Sequence, residues 1–226
     1  MELRDAMRSM HACRFFKPDP VPDAVFHQAV EAARFAPNGG NRQGVRFVIV
    51  RDPGKKRRLG ELYLPPWREV SGAARAGLQA ITTESGVEKS AQLGFSNIPR
   101  ALDEGDHFAE HFGEHPVIVV VCMDRNEMHP TDTELDRLSI VGGASVYPMT
   151  QNFCLCLREQ GVATSFTTLL VACEPEVKAL LDIPDEFITA CHIAVGYPER
   201  PFPTRLRRRP VEELAFVDSF GSSLTA

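Results

Sequence analysis

The 226-residue chain has no Cys-x-x-Cys pair, no excess of basic residues, and no apolar run near the roughly 20 residues needed to span a bilayer. Each absence removes a class of protein. With 25 Lys and Arg against 30 Asp and Glu, it has no global positive field to hold nucleic acid non-specifically. The N-terminal MELRDAMRSMHACRFF has no continuous apolar core of a signal peptide, so a cytoplasmic protein off the membrane is expected. Cys13, Cys122, Cys154, Cys156, Cys173 and Cys191 are scattered, mostly among apolar neighbours. They predict small buried hydrophobes, with neither zinc nor a disulfide framework. The Gly-x-Gly-x-x-Gly fingerprint of a doubly wound dinucleotide fold is missing after a first strand, because GGNRQG follows a helix.

What is present alternates helix and strand. In PDAVFHQAVEAARFAP, Val25, Phe26, Ala29, Val30 and Ala33 share one helical face, with Pro22 and Asp23 at the start and Pro37 at the end. RFVIV then predicts a largely buried strand ended by Arg51-Asp52-Pro53, and a basic helix is plausible from Gly54 to Leu64. Residues 65–115 carry no clear period, which in a compact chain suggests a lid or binding segment. PVIVVVCMD and Ile188 to Val195 predict strands, the first covered on both faces. Leu138 to Gln160 predicts a core helix bent by Pro148 and stopped by Gly161; turn residues GVATSFTTLL follow, then a short helix near Pro175. This order predicts one α+β domain over 1–226, in three layers, with a C-terminal arm over 200–226.

The stretch APNGGNRQG spends far more polar residues on one turn than a chain reversal requires. It joins four other signals in sequence order: a basic segment running into RFFKPDPVP, a long helix leading to GVATSFTTL, a strand ending in VGYP, and RRRPVEEL. Together they resemble the FMN-dependent nitroreductase family over nearly the whole chain. The resemblance implies a nitroreductase-like α/β/α fold with a central, mainly antiparallel sheet, in an intertwined homodimer with shared FMN sites.

Residue by residue, it implies that Arg8, His11, Ala12 and Arg14 contact the FMN phosphate and pyrimidine edge, with Arg14 near N1 and O2. Pro37, Asn38, Gly39, Gly40, Asn41 and Gln43 would face a flavin held mainly by the partner chain. Ser165, Thr167, Thr168 and Leu169 would pass behind the ring, the backbone at Thr168 and Leu169 facing N5. Arg205, Arg207 and Arg208 would close on the phosphate, Arg208 foremost. Tyr63, Trp67, Arg68, Phe95, Phe108 and Phe112 are the candidate substrate contacts. This chain departs from the family pattern at Met10, His11 and Ala12, where Arg and a small hydroxyl are common, and at Val45, where an aromatic is frequent. A neutral His offers one hydrogen bond where Arg offers a charged fork.

The implied reaction is ping-pong: NADH or NADPH gives a hydride, and a nitroaromatic, quinone or similar small aromatic substrate then takes the electrons. Alternatives are an FMN enzyme of another substrate, by reductive dehalogenation or azoline oxidation, and a flavin-holding protein without turnover. His107, His111 and His115 recur every four residues, yet no persuasive further ligand accompanies them, so surface or lid histidines are expected rather than a metal site.

Overall fold

The computed structural model describes residues 1–80 and 98–225, with backbone alone at 78–80 and 98. Its centre is a four-stranded antiparallel sheet in the order β1-β2-β4-β3, formed by β1 (Val45–Val50), β2 (Val117–Asp124), β3 (Ala163–Thr167) and β4 (Phe187–Gly196). Strand β2 is buried along nearly its whole length because it is central in the sheet and covered on both faces. Val117, Val119, Val121 and Met123 point to one layer; Ile118, Val120 and Cys122 point to the other. Burying each such side chain contributes on the order of 1.5–3 kcal/mol.

The first layer is α2 (Asp23–Ala33) and α5 (Tyr147–Glu159), which meet through Phe26 and Phe153. The second is α3 (Pro53–Ala80), α4 (Ile98–Glu110) and α6 (Glu174–Leu181), contributing Leu59, Phe108 and Val177. The expected three-layer α+β arrangement is the one observed. A seven-residue helix α1 (Leu3–Ser9), absent from the sequence reading, packs against α5.

Four expectations change. The basic helix does not stop at Leu64: α3 runs from Pro53 to Ala80 with Pro65 and Pro66 inside it. Proline removes an amide donor and crowds the preceding turn, but Leu59, Tyr63 and Trp67 bury one face of the helix and hold it together. Within 65–115, residues 65–80 and 98–110 are thus helix, and 81–97 lie outside the described residues. The predicted helix from Leu138 starts only at Tyr147, with exposed Leu138 and Ile140 outside it. Pro148 lies in its first turn, where the missing amide costs nothing, so it begins the helix instead of bending it. GVATSFTTLL is not a turn but contains the edge strand β3, paired with β4 from Ala163–Gly196 to Thr167–His192. Last, β1 is an edge strand whose middle is only half-buried.

Candidate functional site

The N-terminal motif lies along β3 as an extended segment. Ala12 bridges Thr164, and the Cys13 amide donates to the Thr164 carbonyl at 2.9 Å. This brings the Arg14 guanidinium to Ser165 Oγ, to which it donates, and over the Phe108 ring at 5.0 Å. Burial lowers the Arg14 pKa, and the guanidinium has no carboxylate in salt-bridge range among the described residues. Beside it, Tyr63 and Thr167 share a hydroxyl hydrogen bond of 3.2 Å, and the Leu169 amide makes a long bond of 3.4 Å to Thr167 Oγ1. Thr168 is exposed at the end of the strand. Ser165, Thr167, Thr168, Leu169 and Arg14 thus form one group.

The C-terminal arm returns to the same motif. The Glu199 amide donates to the Phe15 carbonyl at 3.1 Å and the Leu206 amide to the Arg8 carbonyl at 2.8 Å. As a result Arg8, Arg205, Arg207, Arg208 and Arg209 line a single open cleft of about 840 Å³. Glu212 also lines it, while Glu213 pairs with Arg209 at 3.6 Å. Between this cleft and Arg14 sits His11, whose Nδ1 is buried with no hydrogen-bond partner among the described residues. Burial, with Arg14 and Arg158 nearby, lowers its pKa. A row of cations ending on an unpartnered buried ring nitrogen suits a long anionic ligand with a phosphate, so these residues fit FMN.

Sequence reasoning passed over Arg158 and Phe202. Arg158 is the one basic residue of α5, follows the apolar FCLCL, and is only 8% exposed. In the sequence the only signal was a basic residue directly after an apolar run, and its burial shows only in the fold.

The polar turn is built differently. Gly40, Asn41 and Gln43 all have φ between 55° and 60°, the left-handed region that glycine and asparagine tolerate and glutamine seldom adopts. Asn38 Oδ1 accepts from the Gln43 amide, and Ser145 Oγ accepts from the Gly39 amide, both at 3.0 Å. Pro37, Asn38 and Gly39 line a cavity of about 260 Å³ facing Met128 and Ser145. The turn leads into β1, however, while Ser165 and Thr167 belong to β3 at the opposite edge, three strand spacings or about 14 Å away. One chain does not bring the two sets together.

Of the substrate candidates, Tyr63, Phe108 and Phe112 are buried in the core, with the Tyr63 and Phe112 rings stacked 4.2 Å apart. Trp67 Nε1 donates to Asp106 at 2.7 Å, Arg68 is exposed, and Phe95 lies outside the described residues. His115 is not on the surface: it packs in the core between Phe16 and Phe108, and burial takes its pKa to about 3. His107 stacks on Phe15 and His111 meets Glu114. Among the described residues no group of three or more His, Cys, Asp or Glu is placed to hold a metal. No helix among them is long and apolar enough to cross a membrane.

Comparison with known proteins settles the family, whose sequence model matches residues 7–197. The chain belongs to the nitroreductase family. Among nitroreductase relatives, it is 25% identical over 214 residues, 93% of this chain and 91% of the other, to a Bacillus subtilis (strain 168) protein named as a candidate NAD(P)H nitroreductase, YfhC. It is 22% identical over 199 residues to rat (Rattus norvegicus) iodotyrosine deiodinase 1, covering 88% of this chain and 63% of that one. In fold it is similar to an FMN- and NADPH-dependent nitroreductase, NfnB, from "sphigopyxis sp. strain HMH", with a TM-score of 0.64 and 19% identity over 97% of this chain and 100% of that one.

Proposed function

We infer that this nitroreductase-family chain is an NAD(P)H-dependent flavin oxidoreductase that holds FMN non-covalently and reduces small electron-poor aromatics such as nitroaromatics and quinones. The observation carrying this reading is the pairing of the N-terminal motif with β3 and the C-terminal arm, which sets Arg14 on Ser165 and lines one cleft with Arg8, Arg205, Arg207 and Arg208. FMN, when bound, supplies the hydride-accepting chemistry that side chains lack.

The protein's part is position and charge. Arg14, fixed by Ser165 and by the Phe108 face, is a preorganised cation for the electron-rich pyrimidine edge. Thr167 orients the backbone at Thr168 and Leu169. Arg8, Arg205, Arg207 and Arg208 hold the phosphate. Pro37, Asn38, Gly39, Gly40, Asn41 and Gln43 complete the pocket from a second copy, since they lie at the far edge of their own sheet. Leu138, Ile140 and Phe220 are each more than three-quarters exposed, apolar surface that a homodimer would cover. Six free cysteines accord with a cytoplasmic protein.

A second reading, reductive dehalogenation, is supported by relatives named iodotyrosine deiodinase in rat, mouse, pig and zebrafish. Steady-state oxidation of NADH and NADPH with a nitroaromatic, a quinone and 3-iodotyrosine as acceptors separates the readings. Turnover with the first two is expected; iodide release with the third would move the chain to the second reading. FMN-loaded protein that oxidises neither cofactor with any acceptor would be a flavin-holding protein and would overturn both.

A further inference from the structure

We propose that Arg158, oriented by Ser9 and Phe202 and flanked by His11, is a phosphate-binding residue for FMN beside a motif whose Met10 and Ala12 carry no side-chain donor. The proposal rests on the FMN reading above and adds a residue from a different element, the last turn of α5.

Arg158 is buried, yet it has no carboxylate in salt-bridge range among the described residues. The side chain is largely covered while its terminal nitrogens are not sealed from solvent, so a guanidinium held in place by its neighbours still presents an open edge to an anion. Its Nε donates to Ser9 Oγ at 3.1 Å, and Ser9 Oγ in turn donates to the Asp5 carbonyl at 2.5 Å, so the serine hydroxyl is fixed as an acceptor toward Arg158. The guanidinium carbon lies 3.6 Å from the centre of the Phe202 ring. That leaves the two terminal nitrogens as a fork with no acceptor among the described residues.

The surroundings match the purpose. His11 packs edge-on against the same Phe202 ring at 5.9 Å, with Nδ1 buried and unpartnered. Ser9 is the neighbour of Arg8, which lines the arginine cleft, and Phe202 lies four residues before Leu206, which lines it too. Met10 and Ala12 have no side-chain donor, so nothing at those two positions can reach a phosphate. A planar fork arriving from α5 supplies two parallel charged hydrogen bonds, the geometry phosphate accepts best.

The test compares two ligands differing only in the phosphate. Affinities for FMN and for riboflavin are measured by flavin fluorescence on the wild type, Arg158→Met and Arg158→Lys, with circular dichroism to check the fold. The expected result for Arg158→Met is roughly a ten-fold or greater loss for FMN with riboflavin affinity unchanged, and a partial loss for Arg158→Lys. Equal weakening of both ligands would make Arg158 a structural residue, and no weakening of either would remove it from the site; both overturn the proposal. If Arg158→Met does not fold, Arg158→Lys decides by the same FMN-to-riboflavin ratio. A wild type that binds neither flavin would overturn the FMN reading itself, a distinct outcome.

Discussion

Acidifying the protein from pH 7 to pH 5 is expected to remove about 4 kcal/mol of stability through two buried histidines. His115 and His192 are each buried as neutral rings, and burial brings both pKa values to about 3. In His192, on β4 between Val120 and Thr167, neither ring nitrogen has a hydrogen-bond partner among the described residues. A histidine with a depressed folded pKa contributes stability that is complete above its unfolded value of 6.5 and is lost as pH falls from there toward 3. At pH 5 the loss spans about 1.5 pH units, or about 2 kcal/mol per histidine at 1.36 kcal/mol per unit. Against a typical total of about 5–15 kcal/mol, a loss of about 4 is large. The depressed pKa of His11 acts in the same direction. Asp132, held below the usual carboxylate range by Ser139 and the Ile140 amide, loses its contribution only below its ordinary value of 3.8, outside this window. Urea unfolding at pH 7, 6 and 5 measures the slope, and His192→Leu should remove about half of it. Stability that is flat from pH 7 to 5, or a slope unchanged in His192→Leu, would refute the reasoning.

Other perturbations separate fold from site. Gln43→Gly relieves the left-handed backbone at φ 56° and should raise stability by up to about 1 kcal/mol while weakening FMN binding; unchanged flavin affinity would remove Gln43 from the site. Gly113→Ala would place a methyl 2.8 Å from the Lys56 carbonyl and 2.9 Å from Arg57 Cα, backbone that cannot yield. It should lower stability by about 1–3 kcal/mol in urea unfolding, and a neutral result would show that α3 can move away from this turn. Arg208→Ala should weaken FMN retention with little change in melting temperature, and equal FMN affinity in titration would leave the phosphate to its neighbours.

The chain announced its structure where one signal was unopposed. Strand β2 is continuous and apolar because both its faces are covered, and α2 has one clean helical stripe between prolines; both lie where the sequence placed them. The signals failed where local chemistry and tertiary packing disagree. Pro65 and Pro66 argue for a helix end, and only the partners of Leu59, Tyr63 and Trp67 in the folded core override them. TSFTT looks like a turn until its pairing with β4 is known. That Arg8 lines one cleft with the tail arginines could not be read from spacing, since about 190 residues of chain separate the two ends. Arg158 was missed because a basic residue near a helix C-terminus is ordinarily a solvated partner of the helix dipole.

The most direct test is the visible absorption spectrum of the protein mixed with FMN, passed through gel filtration, and recorded before and after anaerobic addition of NADPH. Flavin bands that travel with the protein and bleach on reduction are predicted. Flavin that elutes apart from the protein, leaving it colourless, would contradict the account.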